Sequence, residues 1–220
     1  MISLVKLPKM NNSGFITSIE PQKNNKNRYS VFIDGKYAFS LDDETLFKSK
    51  LKVGDEINEE AAQELICDAQ YMACKDYGFK LVSKKLYTAH DFTYKLKMKG
   101  FDESVANKVC LRFSELGLIN DEDFARAYIS DAARLRQKGK RAISAELSMH
   151  GVDKAVIDGL LDGFENPEGL EKIISKKLKT KNPDRKQISS VFASCIRKGY
   201  GADEIKHALK KYTDEEFTDE

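Results

Sequence analysis

The same helix–hinge–helix pattern occurs three times in the sequence, each time around a glycine: Gly100, Gly151 and Gly199. Aligning these glycines aligns the apolar residues on both sides. Phe92, Ile143 and Val191 stand eight residues upstream, and Leu96, Leu147 and Cys195 stand four upstream. Phe101, Val152 and Tyr200 follow directly. Ala106/Ile157/Ile205, Val109/Leu160/Ala208, Cys110/Leu161/Leu209 and Phe113/Phe164/Tyr212 then recur six, nine, ten and thirteen residues downstream. Those offsets trace one face of a helix. A glycine at positive φ ends a helix without the Cβ clash that other residues meet there. Asp102 and Asp153 suit the N-cap of the helix that follows. Gly201 holds that place in the third copy and should cap more weakly. A period of about fifty residues means tandem structural units, and stacked helical units offer a long surface suited to lying along a polymer or filament.

The stretch ahead of the second and third copies also repeats. Phe124, Tyr128 and Ala132 are matched by Leu170, Ile174 and Leu178, with Asp121 and Pro167 three residues ahead of each first anchor. Each unit therefore reads as a long entry helix, a short helix, the glycine hinge and a third helix. The units fall near 59–118, 119–166 and 167–213. In the first, a helix is expected from Glu59 to about Tyr77, a shorter one from Gly78 to Tyr87, and another capped by Thr88 with Asp91 at the capping-box position.

Residues 14–57 have a different texture. Phe15, Thr17 and Ile19 alternate with polar neighbours, as do Tyr29, Val31 and Ile33, and then Tyr37, Phe39 and Leu41. A polar turn at Gln22–Asn27 and the hairpin dipeptide Asp34-Gly35 separate these runs. Three short antiparallel strands follow from this, then a short helix capped by Asp42 or Asp43 and a turn at Val53-Gly54-Asp55. So small a sheet needs helices to pack on. The predicted fold is mainly α: three tandem three-helix units in an elongated, curved body, with a small N-terminal antiparallel β region at 1–58.

Net charge is +2 but unevenly placed. Residues 214–220 carry Asp214, Glu215, Glu216, Asp219 and Glu220 and no base, so the rest of the chain is basic and suits an anionic partner. Met1–Met10 lacks the apolar core of a secretory leader, and no run approaches a membrane span. Cys67, Cys74, Cys110 and Cys195 contain no Cys-x-x-Cys pair, and two of them occupy core positions of the repeat. They read as buried hydrophobes in a reducing cytosol.

His90, His150 and His207 have no neighbour at metal-ligand spacing. His150 precedes a hinge glycine, where Lys99 and Lys198 precede the other two, which makes it a partner of a helix C-terminus. Phosphate-binding glycine loops are absent. Asp121-Glu122-Asp123 sits at a helix start, where acids favour the dipole. No catalytic set, cofactor or metal is therefore expected. The basic residues are the functional signal. Lys80, Lys84 and Lys85 cluster in the first unit, with Lys95, Lys97 and Lys99 beside them. Arg134, Arg136, Lys138, Lys140 and Arg141 cluster in the second, and Lys172, Lys176, Lys177, Lys179, Lys181, Arg185 and Lys186 in the third. Each group lies near the junction of first and second helix, so stacked units could align them into one stripe facing phosphates or an acidic protein groove. Solvation of helix ends accounts for such runs equally well.

Gly117-Leu118-Ile119-Asn120-Asp121-Glu122-Asp123-Phe124-Ala125-Arg126-Ala127-Tyr128-Ile129 resembles the signature of the RecX family of bacterial recombination regulators. Gly139-Lys140-Arg141-Ala142-Ile143-Ser144-Ala145-Glu146-Leu147, then Gly151-Val152, resembles the next block, and Leu96-x-x-Lys99-Gly100-Phe101 the matching part of the first unit. The resemblance covers about residues 60–212. It departs at Thr88-Ala89-His90-Asp91-Phe92, where the family usually has Ser-x-x-Glu-Leu. The strand region resembles an extension that some members carry. What the resemblance implies is a non-enzymatic, monomeric modulator that binds the RecA recombinase or its filament on single-stranded DNA and restrains strand exchange and ATP hydrolysis. A direct binder of single- or double-stranded DNA, acting on recombination through the DNA, is the alternative.

Overall fold

The computed structural model describes residues 13–23, 25–178 and 183–212. The acidic run 214–220, and Lys179 and Lys181 of the third basic cluster, lie outside the described residues.

Strands β1 (Ser13–Gln22), β2 (Asn25–Ile33), β3 (Lys36–Asp42) and β4 (Glu56–Asn58) form one antiparallel sheet in the order β3-β2-β1-β4. Alternation buries Ile16, Val31, Ile33 and Leu41 on one face. Asp34 and Gly35 turn the β2–β3 hairpin at φ of 50° and 74°, the primed-turn geometry that Asp-Gly favours. The fourth strand leaves no mark in the sequence pattern. With three residues and one apolar side chain, Ile57, β4 is too short for alternation to register.

Helix α1 (Asp43–Ser49) is capped by Asp42, whose carboxylate accepts from the Thr45 amide at 2.8 Å. Helix α2 (Glu59–Val82) runs straight through the break expected at Tyr77. Gly78 lies inside it for a packing reason. A Cβ there would come 2.9 Å from Phe92 and 3.0 Å from Phe113, so tertiary contact overrides the weak helix propensity of glycine. The first half of α2 shares a core with the strands through Ala62, Ile66 and Ala69. Near its C-terminal end Phe79 packs on Phe113 with ring centroids 4.8 Å apart.

Eight further helices follow among the described residues: α3 (Ala89–Lys99), α4 (Glu103–Glu115), α5 (Asp121–Arg134), α6 (Lys140–Met149), α7 (Lys154–Leu160), α8 (Pro167–Lys177), α9 (Arg185–Arg197) and α10 (Ala202–Leu209). With α2 they make three successive sets of three, as the repeat predicts. The hinge glycines Gly100, Gly151 and Gly199 have φ of 100°, 77° and 89°. Each hinge closes the preceding helix with a pair of backbone bonds. In the first, Phe101 N–H donates to Leu96 and Gly100 N–H to Lys97; the equivalent bonds recur at Val152 and Gly151, and at Tyr200 and Gly199. Asp102 and Asp153 cap α4 and α7 as expected. Gly201 has no side chain to offer α10, and its own N–H donates to the Glu204 carboxylate at 3.1 Å. The caps of α5 and α8 are Asn120 and Asn166, one residue ahead of Asp121 and Pro167.

The chain divides into two compact units. One holds the residues up to Lys85 with Phe92–Ile119, and the other Leu86–Asp91 with the residues from Asn120 onward. In the second unit, α5–α7 bury Ala125, Ala132, Ile143, Leu147 and Ile157, while α8–α10 bury Leu170, Ile174, Val191, Tyr200 and Ile205 in a core of their own. Cys74, Cys110 and Cys195 are buried free thiols and Cys67 is an exposed one. Burial pushes the Cys74 thiol up to about 12 and the Cys195 thiol to about 11, so neither is a nucleophile at neutral pH.

Candidate partner-binding surface

Among the described residues, each set carries basic side chains where its first helix ends and its second begins. Lys84 and Lys85, exposed beyond the end of α2, belong to the first compact unit. Lys176 and Lys177 are exposed in the last turn of α8 and belong to the second. Beside the first cluster, Lys97 pairs with Glu103 at 2.7 Å and Lys99 lies over the Tyr77 ring at 5.4 Å.

The second cluster shows how the local sequence sorts its cations. Helix α5 ends at Arg134 and α6 begins at Lys140, leaving a five-residue connection. Within it Gln137 takes φ of 47°, a left-handed conformation costly for a residue with a Cβ. The chain therefore reverses sharply, and the two basic side chains inside the connection separate from those that flank it. Arg136 and Lys138 turn inward to Glu146 of α6. Lys138 pairs with the Glu146 carboxylate and keeps only 18% of its side-chain exposure. Arg136 lies 4.4 Å over the Tyr128 ring and donates to the Tyr128 hydroxyl at 3.1 Å. That hydroxyl donates in turn to Glu146 at 2.6 Å. Burial alone would raise the Glu146 carboxyl, but the Lys138 and Tyr128 hydrogen bonds and the Arg136 charge outweigh it and hold it below the ordinary value. Burial, and the bond to Glu146, raise the Tyr128 phenol. Arg134, Lys140 and Arg141 stay exposed. The five residues singled out from the sequence thus divide into two that build the junction and three that face solvent.

Sequence reasoning missed the groups that hold this connection from outside. Lys198 Nζ donates to the Arg136 carbonyl at 2.8 Å, the Tyr200 hydroxyl to the Gln137 carbonyl at 3.2 Å, and Asn166 Nδ2 to the Lys138 carbonyl at 3.1 Å. In return Gly139 N–H donates to the Lys198 carbonyl at 2.8 Å and Arg141 N–H to the Gly199 carbonyl at 3.1 Å. One signal was present: Tyr200 stands in a fully buried core position where the other copies have Phe101 and Val152, and a buried phenol needs a partner.

His150 is the C-cap of α6, as its place before the hinge implies. Its Nδ1 lies 2.7 Å from the Asp91 carboxylate, and its ring meets Phe124 and Tyr128 edge-on at 5.2 and 5.3 Å. Asp91 thus reaches His150 and not the Thr88 amide of the expected capping box. Asp121, read as a dipole partner, accepts from the Ala89 amide at 2.8 Å. Among the described residues no group of three or more His, Cys, Asp or Glu is placed to hold a metal ion, and no helix is long and apolar enough to cross a membrane.

Comparison with known proteins agrees with this architecture. Residues 14–58 match the description "Regulatory protein RecX N-terminal domain", and residues 120–161 match "RecX, second three-helix domain". A regulatory protein RecX of Clostridium beijerinckii is 34% identical over 203 residues, covering 89% of this chain and 94% of that protein. One from Clostridium botulinum strain Alaska E43 is 31% identical, covering 93% and 99%. A solved crystal structure of a regulatory protein RecX superimposes with a TM-score of 0.66 at 25% identity, over 92% of this chain and 100% of that one. At 34% identity over most of both chains, and with matches to two RecX domain descriptions, the chain belongs to the RecX family of regulatory proteins.

Proposed function

We propose that this protein is a non-enzymatic regulator that binds the RecA recombinase filament on single-stranded DNA and restrains recombination and ATP hydrolysis, using Arg134, Lys140 and Arg141 as cationic contacts. The observation that carries the reading is the sorting of the α5–α6 junction. Two of its basic residues neutralise Glu146, while three remain exposed on the helix ends that flank a connection whose backbone is tied at several points. Charges held in place lose less freedom on binding than charges on a loose loop. Lys176 and Lys177 stand at the equivalent junction of the third set, in the same compact unit, and are proposed to extend the same contact, while Lys84 and Lys85 are proposed as a separate contact made by the other unit.

The test is co-sedimentation with RecA filaments beside naked single-stranded DNA. Reversing Arg134, Lys140 and Arg141 to Glu should leave the melting temperature nearly unchanged, since exposed charges contribute about 0–1 kcal/mol each. Filament binding should fall at least tenfold, by loss of charge complementarity. Arg136 is left out because a glutamate there would face Glu146. Undiminished binding after the reversal would return these residues to the solvated surface. Binding to naked DNA as tight as to the filament, with a steep salt dependence, would favour action through DNA.

A further inference from the structure

The backbone of the α5–α6 connection is held by residues from a different helical set. Three successive carbonyls, of Arg136, Gln137 and Lys138, each accept a hydrogen bond from a side chain of the third set or its leading cap: Lys198, Tyr200 and Asn166. Two amides on the other side of Gly139 complete the tie, as Gly139 N–H and Arg141 N–H donate to the Lys198 and Gly199 carbonyls. The approach is close enough that a Cβ on Gly139 would fall 2.6 Å from the Gly199 carbonyl oxygen. Tyr200 reaches its acceptor from a fully buried position, beside Gly169, where a Cβ would come 2.5 Å from the phenol oxygen. The connection itself is strained at Gln137, with φ of 47°. A left-handed non-glycine residue persists when surrounding contacts over-determine it, and these bonds supply that determination.

We propose that Lys198 and Tyr200 are positioning residues for partner binding: they fix the α5–α6 backbone so that Arg134, Lys140 and Arg141 are presented together. This rests on the reading of those three cations as filament contacts. On it, the third helical set contributes to binding through the second, even where it makes no contact with the partner. Each bond ties a main-chain carbonyl, so its loss releases the direction of the flanking side chains without removing any of them. Tyr200→Phe deletes one hydroxyl and leaves the ring in the core. Lys198→Met deletes the ammonium and keeps the length of the stem.

The experiment compares four full-length proteins for filament co-sedimentation: the parent, Lys198→Met/Tyr200→Phe, the Arg134/Lys140/Arg141→Glu reversal, and the five-fold combination. Two lost hydrogen bonds should weaken binding of the double variant by about five- to tenfold. Added to the reversal, the same two changes should cost nothing further, because they act through cations already gone. Amide exchange at Gly139 and Arg141 should quicken in the double variant, while exchange at Val152, bonded to the Leu147 carbonyl, should not. Lys198→Arg, which keeps a donor, should recover most of the affinity, as a general loss of stability would not allow. Full affinity in the double variant, with the reversal still impaired, would overturn the positioning role alone. Multiplying effects in the combination would overturn it too, by making Lys198 an independent contact. Full affinity in the reversal would remove the basic contact and this proposal with it, whatever the exchange rates show.

Discussion

Gly199 does two jobs at one position. It ends α9 at φ of 89°, and it lies against the start of α6, where an added Cβ would meet the Ala142 amide nitrogen and the Ala142 Cβ. Positive φ alone costs a residue with a Cβ about 1 kcal/mol or more. Overpacking against backbone adds about 1–3 kcal/mol. Gly199→Ala should therefore destabilise the protein by about 2–4 kcal/mol. Gly159 is a control in the same compact unit: it lies within α7, where an added Cβ would have nothing within 4 Å, and Gly159→Ala should stabilise by about 0.5–1 kcal/mol. Denaturant titration of both variants measures the contrast. Equal effects would mean that the contact between Gly199 and Ala142 does not persist in solution.

Between elements, one joint is built twice. Thr88 lies twelve residues before Gly100, and Gly139 twelve before Gly151. Thr88 donates its hydroxyl to the His150 carbonyl at 2.7 Å, and Gly139 its amide to the Lys198 carbonyl at 2.8 Å. In both, the start of a second helix meets the residue just before the next hinge glycine. The joint satisfies a carbonyl that the end of a helix leaves unpaired. Thr88 also caps α3, accepting from the Asp91 amide at 3.1 Å, and it is completely buried. Thr88→Val should thus remove the cap and leave a buried carbonyl unmet, costing about 1–3 kcal/mol. For a chain of this size that is about 2–4 °C of melting temperature per kcal/mol. A thermal scan in which Thr88→Val melts with the parent would show that water replaces the hydroxyl at no cost.

At the scale of the whole molecule, truncation separates the sets. The set α5–α7 has its own buried core, distinct from that of α8–α10. A chain ending at Asn166 should therefore still fold, while losing the ties from Lys198 and Tyr200 to the α5–α6 backbone. Its filament binding should be much weaker than that of the full chain, through lost avidity and lost positioning together. A chain lacking only residues 214–220 should bind about as well as the full chain, because that run carries acids and no apolar anchor. Equal affinity for the full chain and the chain ending at Asn166 would confine the binding surface to residues before the third set.

Whatever depends on near neighbours could be read from the chain alone. The hinge glycines, the caps Asp102 and Asp153, the Asp34-Gly35 hairpin and the apolar faces of the helices were legible, because positive φ, capping bonds and helical periodicity are settled within a few residues. In β1 the alternation pointed to Phe15, Thr17 and Ile19, yet Ile16 is buried and Phe15 is exposed. The family signature was legible for the same reason, being carried by contiguous blocks. The rest followed from tertiary packing. Gly78 reads locally as a break, yet α2 continues through it because Phe92 and Phe113 need the space. Arg136 and Lys138 read locally as part of an exposed cationic run, yet Glu146 draws them inward. The partners of Thr88 and Gln137 lie 62 and 63 residues away. Main-chain carbonyls carry no residue identity, so no local pattern marks which side chain will reach them. That choice was made only when the packed cores brought the hinge of one helical set against the first turn of a helix in another.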